Sequence, residues 1–329
     1  MPLITLSNAK QFICSEESTL LDAARAHGLV LEYSCRTGRC GVCKSQVISG
    51  KTQAIKNEEA LTSEEHAAGY ILTCARTAID DVALDIEDLG RLASIKTQTL
   101  PCRIDAIQKL TPYVIQVVLR LPPKNNFEYL SGQYIDIIGK NGTRRSYSVA
   151  NAHSISDKIE LHISHVQDGE MSQYWFNEAK ENDLLRFEGP YGTFSLREKP
   201  QKNIIFLATG TGIAPVKSIL EDMDFANEYA STKNIIVYWG ARISQDIYWQ
   251  PHFSRLSVSF NPVLSRADEH WTGRKGYVQD AVITDSIDLS DSVVYACGSD
   301  AMIHSAQQHL IACGLEKNNF YSDAFVSSK

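Results

Sequence analysis

Apolar positions follow three different rhythms along the chain. Over residues 1–92, short apolar runs alternate with capped helical stretches. A strand-like run at 3–6 comes first. Thr19 and Asp22 then give a helix-start signal ahead of an Ala/Leu-rich stretch that Gly28 stops. A Gly/Cys-rich loop at 33–44 leads into a strand at 45–48, and Thr62 with Glu65 opens a second helix ending near Gly69. Residues 88–99 are polar and lack an apolar period, which predicts a linker, with 93–99 as the linker proper. Over 100–199, β-like runs at 114–121, 133–138, 145–149 and 159–165 are separated by turn signals, predicting a small antiparallel β-barrel. Over 200–329, buried strands at 204–208, 235–239, 260–264 and 293–296 alternate with helical segments. That is the βαβ pattern of a parallel, doubly wound α/β sheet.

Composition narrows the function. Of 329 residues, 43% are hydrophobic and 22% charged, a globular balance that excludes disordered, collagen-like and coiled-coil chains. The net charge is 32 − 39 = −7, so there is no broad attraction for phosphate backbones or anionic lipid, and neither nucleic acid nor membrane is an expected partner. No apolar run approaches the roughly 18 residues of a membrane span. The first ten residues lack a charged-then-apolar signal pattern, so the cytosol is the expected location. The first block holds 13 acidic and 9 basic residues, and docking through it should weaken with salt.

Four of the eight cysteines stand in order: Cys35-x4-Cys40-x2-Cys43, 30 residues, then Cys74. This is the plant-type [2Fe–2S] spacing. Four thiolates must converge on two irons, and Gly38 and Gly41 let the loop wrap three of them closely. Backbone N–H groups of such a loop tune the sulfurs. A structural zinc site also takes four cysteines, although usually as paired C-x2-C knuckles. Cys14, Cys102 and Cys313 stand alone and read as structural.

Further motifs follow in order. Arg145-Ser146-Tyr147-Ser148 is an R-x-Y-S motif, Gly169-Glu170-Met171-Ser172 is G-x-x-S, and Gly189-Pro190-Tyr191-Gly192-Thr193-Phe194 is G-P-x-G-x-F. After the strand at 204–208 comes Thr209-Gly210-Thr211-Gly212-Ile213-Ala214-Pro215, a glycine-rich turn from strand into helix. Alone, R-x-Y-S describes equally a solvated arginine beside a core tyrosine, and G-x-G a tight βα turn. Together with the cysteines, the motifs make the whole chain resemble the ferredoxin–NADP reductase superfamily, in particular members with an N-terminal plant-type ferredoxin domain.

That resemblance implies a β-grasp [2Fe–2S] domain at 1–92, an FAD-binding β-barrel at 100–199 and an NAD(P)H-binding α/β domain at 200–329. Cys35, Cys40, Cys43 and Cys74 hold the cluster. Arg145 offers a fork of donors to the flavin phosphates, Tyr147 a flat face to the isoalloxazine and Ser148 a hydroxyl near N5, with Ser146 between them. Gly169, Met171 and Ser172 form the pyrophosphate turn. Gly210, Thr211, Gly212 and Pro215 cradle the dinucleotide, with Arg242 and Tyr248 near its adenosine. Cys297 and Gly298 lie by the nicotinamide; the plainer reading of Cys297 is a buried strand-end thiol. Asp323 and Phe325 match an acid-x-aromatic ending whose ring covers the flavin, with core packing as the plainer role for Phe325. The chain departs from that ending by a tail, residues 326–329. Ser265 and Arg266 sit where NADPH-using relatives bind the 2′-phosphate, yet ferredoxin-first relatives mostly use NADH, so both coenzymes stay open.

The cofactors carry the chemistry. A hydride brings two electrons and a cluster takes one, so a flavin stands between them, and neither a triad nor an acid–base dyad is expected. Residues Glu32–Cys35, Gly132–Asp136, Arg144–Asn151 and Ser322–Val326 most resemble the reductases of 3,6-dideoxysugar and O-antigen sugar synthesis. The implied partner is a pyridoxamine-phosphate-dependent sugar dehydrase. The alternative is an oxygenase component, since reductases of aromatic-ring dioxygenases and multicomponent monooxygenases share the same three domains.

Overall fold

The computed structural model describes residues 1–227 and 233–325, with Arg91 described by its backbone alone. The tail at 326–329 lies outside them. The chain divides into two compact units: Met1–Lys96 with Asp323–Phe325, and Thr97–Ser322.

The first unit is a mixed five-stranded sheet in the order Gln11–Ile13, Leu3–Leu6, Val82–Leu84, Lys44–Ser49, Tyr70–Leu72. Leu3–Leu6 and Val82–Leu84 run parallel and the other neighbours antiparallel. The helix Leu20–Ala26 buries Leu20, Leu21, Ala23 and Ala24. Thr19 caps it by accepting from the Asp22 N–H (3.0 Å), and Gly28, at φ +74°, ends it. Thr62 and Glu65 form a reciprocal capping box on the helix Ser63–Ala67.

In the second unit, six antiparallel strands run in the order Arg144–Ser148, Tyr134–Ile138, Leu184–Tyr191, Gln98–Thr111, Val114–Arg120, Ile159–Ser164. A single bridge, Val149 to Leu161, closes the first strand on the last, so the barrel keeps an open seam along Arg144–Tyr147. Its core holds Ile104, Val117, Leu119, Ile135, Ile137, Leu161 and Phe187. The other sheet of this unit runs Arg274–Lys275, Val258–Leu264, Asn234–Ala241, Asn203–Thr209, Ser292–Ser299, with the strand that starts at Phe320 at the edge. The pairings from Arg274–Lys275 through Ser292–Ser299 are all parallel.

Three elements depart from the sequence reading. The linker expected at 88–99 is taken up from both ends. The Asp88 carboxylate is buried, 2.5 Å from Lys10 Nζ and 2.7 Å from the Val30 N–H, and a strand starts at Gln98. That strand, Gln98–Thr111, hides from a period-2 search because its register shifts twice, at Ile104/Ala106 and Lys109/Thr111. Leu184–Tyr191, which the sequence reading did not place among the strands, carries Gly189-Pro190 of the G-P-x-G-x-F segment near its end.

Candidate functional site

The cluster loop depends on backbone that only glycine adopts freely. Gly38 and Gly41 lie at φ +79° and +76°, and a Cβ on Gly38 would stand 2.0 Å from the Asn57 carbonyl oxygen. The fourth cysteine arrives on a loop that Glu58 anchors. Its buried carboxylate accepts from the Leu72 N–H (2.8 Å) and from Arg76 Nε (2.8 Å). The sulfurs come as two pairs. Cys43 and Cys74 Sγ are 3.2 Å apart, and Cys35 and Cys40 interact through their thiols, with the Cys35 N–H 3.5 Å from Cys40 Sγ. The Cys40 thiol beside it, against the opposing effect of burial, and the Thr37 N–H (3.4 Å from its sulfur) hold the Cys35 thiol down at about 5. The same neighbour and burial push Cys40 up. Among the described residues no three His, Cys, Asp or Glu side chains gather to hold a single ion. Two sulfur pairs fit two irons, each finished by bridging sulfide, better than one tetrahedral zinc.

Along the flavin strand, alternation sends Arg145 and Tyr147 to one face and Ser146 and Ser148 to the other. Tyr147 packs on the barrel core at the seam, its hydroxyl accepting from Trp175 Nε1 (2.9 Å). Burial pushes this phenol up to about 12, so it stays neutral. The helix Glu170–Gln173 begins beside it. Glu170 accepts from Asn141 (3.0 Å) and Thr143 (2.8 Å), and Arg145 lies near enough to help hold its carboxyl low after those two bonds. Gly169 caps that helix without a side chain over its N–H groups. Arg145, Tyr147 and the Gly169 turn thus face one open seam, a cradle with cationic and N–H donors suited to FAD.

The remaining residues of these motifs make the following contacts. Ser146 donates to Asp136 (2.6 Å) on the opposite face. Met171 is buried in the barrel core, and Ser172 accepts from the Val166 N–H (2.8 Å). Ser148 is buried next to the seam-closing Val149.

In the parallel sheet, Ala208 pairs with Cys297 and Thr209 with Gly240, which sets three loops at the carboxyl ends of adjacent strands. The turn Gly210–Gly212 packs on the backbone of Cys297 and Gly298. A Cβ on Gly212 would lie 2.2 Å from the Cys297 carbonyl oxygen, and one on Gly298 2.2 Å from Thr209 Oγ1. Ile213–Ala226 follows as a 14-residue helix with Pro215 in its first turn. Arg242, Ser265 and Arg266 come together: the Ser265 N–H donates to the Ala241 carbonyl (3.0 Å) and the Arg266 N–H to that of Arg242 (2.9 Å). Both arginine side chains are exposed. Cys297 is fully buried. Tyr248 turns its hydroxyl toward His162 (3.3 Å).

At the C-terminus, Asp323 is buried and accepts from Ser34 Oγ (2.5 Å), next to Cys35, while Phe325 is 37% exposed. Motif reading missed Ser34, Glu58, Glu160, His162, Lys217 and Trp239. Each acts through a partner distant in sequence, and the one local trace is the strict alternation Ile159-Glu160-Leu161-His162-Ile163-Ser164.

Comparison with known proteins agrees with this division. A 2Fe-2S iron–sulfur cluster binding domain matches residues 4–78, an oxidoreductase FAD-binding domain 101–196 and an oxidoreductase NAD-binding domain 206–308. The chain is an NAD(P)H-dependent oxidoreductase that carries FAD and a [2Fe–2S] cluster, and it belongs to the family of iron–sulfur flavoprotein reductases that serve as electron-transfer components. It is 44% identical over 324 residues to the CDP-6-deoxy-L-threo-D-glycero-4-hexulose-3-dehydrase reductase of Yersinia pestis, covering 97% of this chain and 96% of that protein. It is 32% identical over 327 residues to reductase component 1 of terephthalate 1,2-dioxygenase from Comamonas sp, covering 96% and 95%. Among solved structures, the Amycolatopsis cytochrome P450 reductase GcoB aligns over 99% of both chains with a TM-score of 0.78 at 24% identity, a likeness of fold.

Two substitutions separate the sites. Gly38→Ala forces a side chain into positive φ and against Asn57, a strain of about 1–2 kcal/mol before the clash. Iron content should fall while FAD content and NADH-driven flavin bleaching persist. Gly212→Ala pushes the glycine turn off Cys297. The NADH concentration for half-maximal flavin reduction should rise about tenfold or more, with iron and FAD content unchanged.

Proposed function

We propose that this reductase passes electrons from NADH to a pyridoxamine-phosphate-dependent, iron–sulfur sugar dehydrase, the CDP-4-keto-6-deoxyglucose-3-dehydrase of 3,6-dideoxysugar synthesis, in the cytosol. The observation that carries this reading is 44% identity across 97% of the chain to a reductase named for such a dehydrase. When bound, FAD takes hydride from the nicotinamide and releases electrons singly through the cluster. The chain's own residues position and exclude.

In this reading Arg145 and the Gly169–Ser172 turn hold the flavin phosphates, Tyr147 lies against the isoalloxazine and Ser148 reaches toward N5. Gly210, Thr211, Gly212 and Pro215 seat the dinucleotide phosphates, with Arg242 and Tyr248 by the adenosine. Cys297 and Gly298 shape the nicotinamide seat and keep water out. Cys35, Cys40, Cys43 and Cys74 hold the cluster. The working divisions are 1–92, the linker 93–99, 100–199 and 200–329. The second reading, an oxygenase reductase, has the 32% identical dioxygenase component in its favour.

The experiment is anaerobic reduction by NADH, then addition of the dehydrase loaded with its CDP-4-keto-6-deoxysugar and pyridoxamine phosphate. Formation of 3-deoxygenated sugar is expected. Bleaching of flavin and cluster with no sugar product would transfer the assignment to an oxygenase. For the coenzyme, Arg266→Ala should weaken NADPH about tenfold, the loss of one charge-assisted phosphate contact, and leave NADH nearly untouched. Steady-state KM values for both coenzymes decide it, and equal losses would remove Arg266 from the 2′-phosphate site.

A further inference from the structure

The barrel strand Ile159–Ser164 sends Ile159, Leu161 and Ile163 into the barrel core and turns Glu160, His162 and Ser164 the other way. On an isolated barrel that second face would be wet. Here the nucleotide-binding half covers it, and each polar residue meets a residue of that half. Ser164 Oγ donates to Thr211 Oγ1 in the glycine turn (3.3 Å). Glu160 Oε2 lies 3.2 Å from Lys217 Nζ, on the helix that the turn opens. Lys217 also donates to the Ala150 carbonyl (3.0 Å) and to Glu221 (2.7 Å). The other Glu160 oxygen is 2.8 Å from His162 Nε2. A carboxylate only accepts, so Nε2 carries a proton, and Nδ1 faces the Tyr248 hydroxyl at 3.3 Å. Tyr248 stands edge-on to Trp239 with centroids 5.0 Å apart, and Trp239 Nε1 donates to the Gly210 carbonyl (2.9 Å).

Glu160 therefore reaches the glycine turn by two routes. One runs through Lys217 to the helix behind the turn. The other runs through His162, Tyr248 and Trp239 to the carbonyl of Gly210, at its tip. Trp239 is fully buried and the His162 side chain is 2% exposed, while Tyr248 between them is half-buried. Burial opposes the charge on Glu160, but the His162 hydrogen bond and the Lys217 ammonium hold its carboxyl down at about 2. As adhesive, a buried ion pair is no better than an apolar contact of the same volume. What it adds is direction, since hydrogen bonds fix angles that apolar packing leaves loose.

We propose that Glu160 and His162 are positioning residues of hydride transfer: they lock the glycine turn, and the nicotinamide it seats, against the flavin barrel. The inference rests on the NAD(P)H-to-flavin step alone and is independent of the acceptor. A displacement of about 1 Å between hydride donor and acceptor costs up to about a hundredfold in rate.

The test is anaerobic stopped-flow bleaching of the FAD-loaded enzyme by NADH and by NADH deuterated at C4, with no acceptor present. The variants are Glu160→Gln, His162→Ala, His162→Gln and Tyr248→Phe, each with its melting temperature and FAD content. Glu160→Gln and His162→Ala should slow the limiting bleaching rate at saturating NADH by about tenfold to a hundredfold and change the isotope effect, with FAD content retained. His162→Gln, which keeps a donor toward Glu160, should recover part of the rate. Tyr248→Phe keeps the ring stack and loses one hydrogen bond, so it should slow bleaching about threefold. It also stands as the reading if His162→Ala fails to fold. Limiting rates and isotope effects within about twofold of the parent in both Glu160→Gln and Tyr248→Phe, with lowered melting temperature alone, would overturn the proposal and leave the network a structural joint. Failure of the dehydrase assignment leaves these readouts untouched.

Discussion

Two stretches of chain in the parallel sheet touch because a glycine stands on one side of each contact. Gly212 sits against the Cys297 carbonyl, and Gly298, at φ +137°, sits against Thr209. The Ser299 N–H then reaches Thr209 Oγ1 at 3.1 Å and fastens the pair. This approach places the opening of the Ile213–Ala226 helix beside the end of the Ser292–Ser299 strand. The glycine turn and the Cys297 loop become one surface at the carboxyl ends of the central strands. Gly240, with Thr209 and Val278 methyls 3.0 Å from where its Cβ would be, continues the same tight layer on the other side of the central strand.

A second constraint joins this surface to the barrel. Four residues on one side of the Ile213–Ala226 helix bond to the loop that leaves the R-x-Y-S strand. Lys217 holds the Ala150 carbonyl (3.0 Å), Ser218 the Asn151 carbonyl (2.7 Å), Glu221 the Ala152 N–H (3.0 Å) and Asp222 the Ser154 hydroxyl (2.8 Å). A loop buried against a helix needs its backbone groups paired, and here the helix supplies the partners. The R-x-Y-S strand is therefore tied at its exit by the helix and at its start by pairing with Tyr134–Ile138 and the Arg144–Glu188 contact (2.8 Å).

The cluster unit solves a different problem. Four thiols must approach closely, although burial by itself favours the protonated form of a thiol. The loop answers with backbone: glycine at positive φ, N–H groups near sulfur, and Glu58 holding the Cys74 loop from behind. Metal binding is coupled to the folding of such a loop, because the closed arrangement becomes favourable when the thiolates have irons to bind. The Ser34–Asp323 bond adds a buried polar contact one residue from Cys35, made with the far end of the chain.

Local sequence determined whatever depends on neighbours along the chain. The cysteine spacing with its two glycines, the Thr19 and Thr62 caps, the alternation of the barrel strands at 114–121 and 159–165, and the glycine turn after 204–208 are all short-range signals, and the structure builds an element at each. The long Gln98–Thr111 strand escaped because its bulges break the period, and Asp88 escaped because nothing local says that a polar segment will bury its carboxylate on Lys10 and Val30. The roles of Glu160, His162, Lys217 and Trp239 were decided by tertiary structure alone. A strand written apolar-polar-apolar-polar declares which face is core and is silent about what covers the other. Whether that face meets water or a second sheet depends on pairings between residues 29 to 86 positions apart, such as Lys217 with the Ala150 carbonyl and Glu160, Trp239 with Gly210 and Tyr248 with His162. Those pairings exist only after both halves have folded, because burial and hydrogen bonding act through space while periodicity acts along the chain.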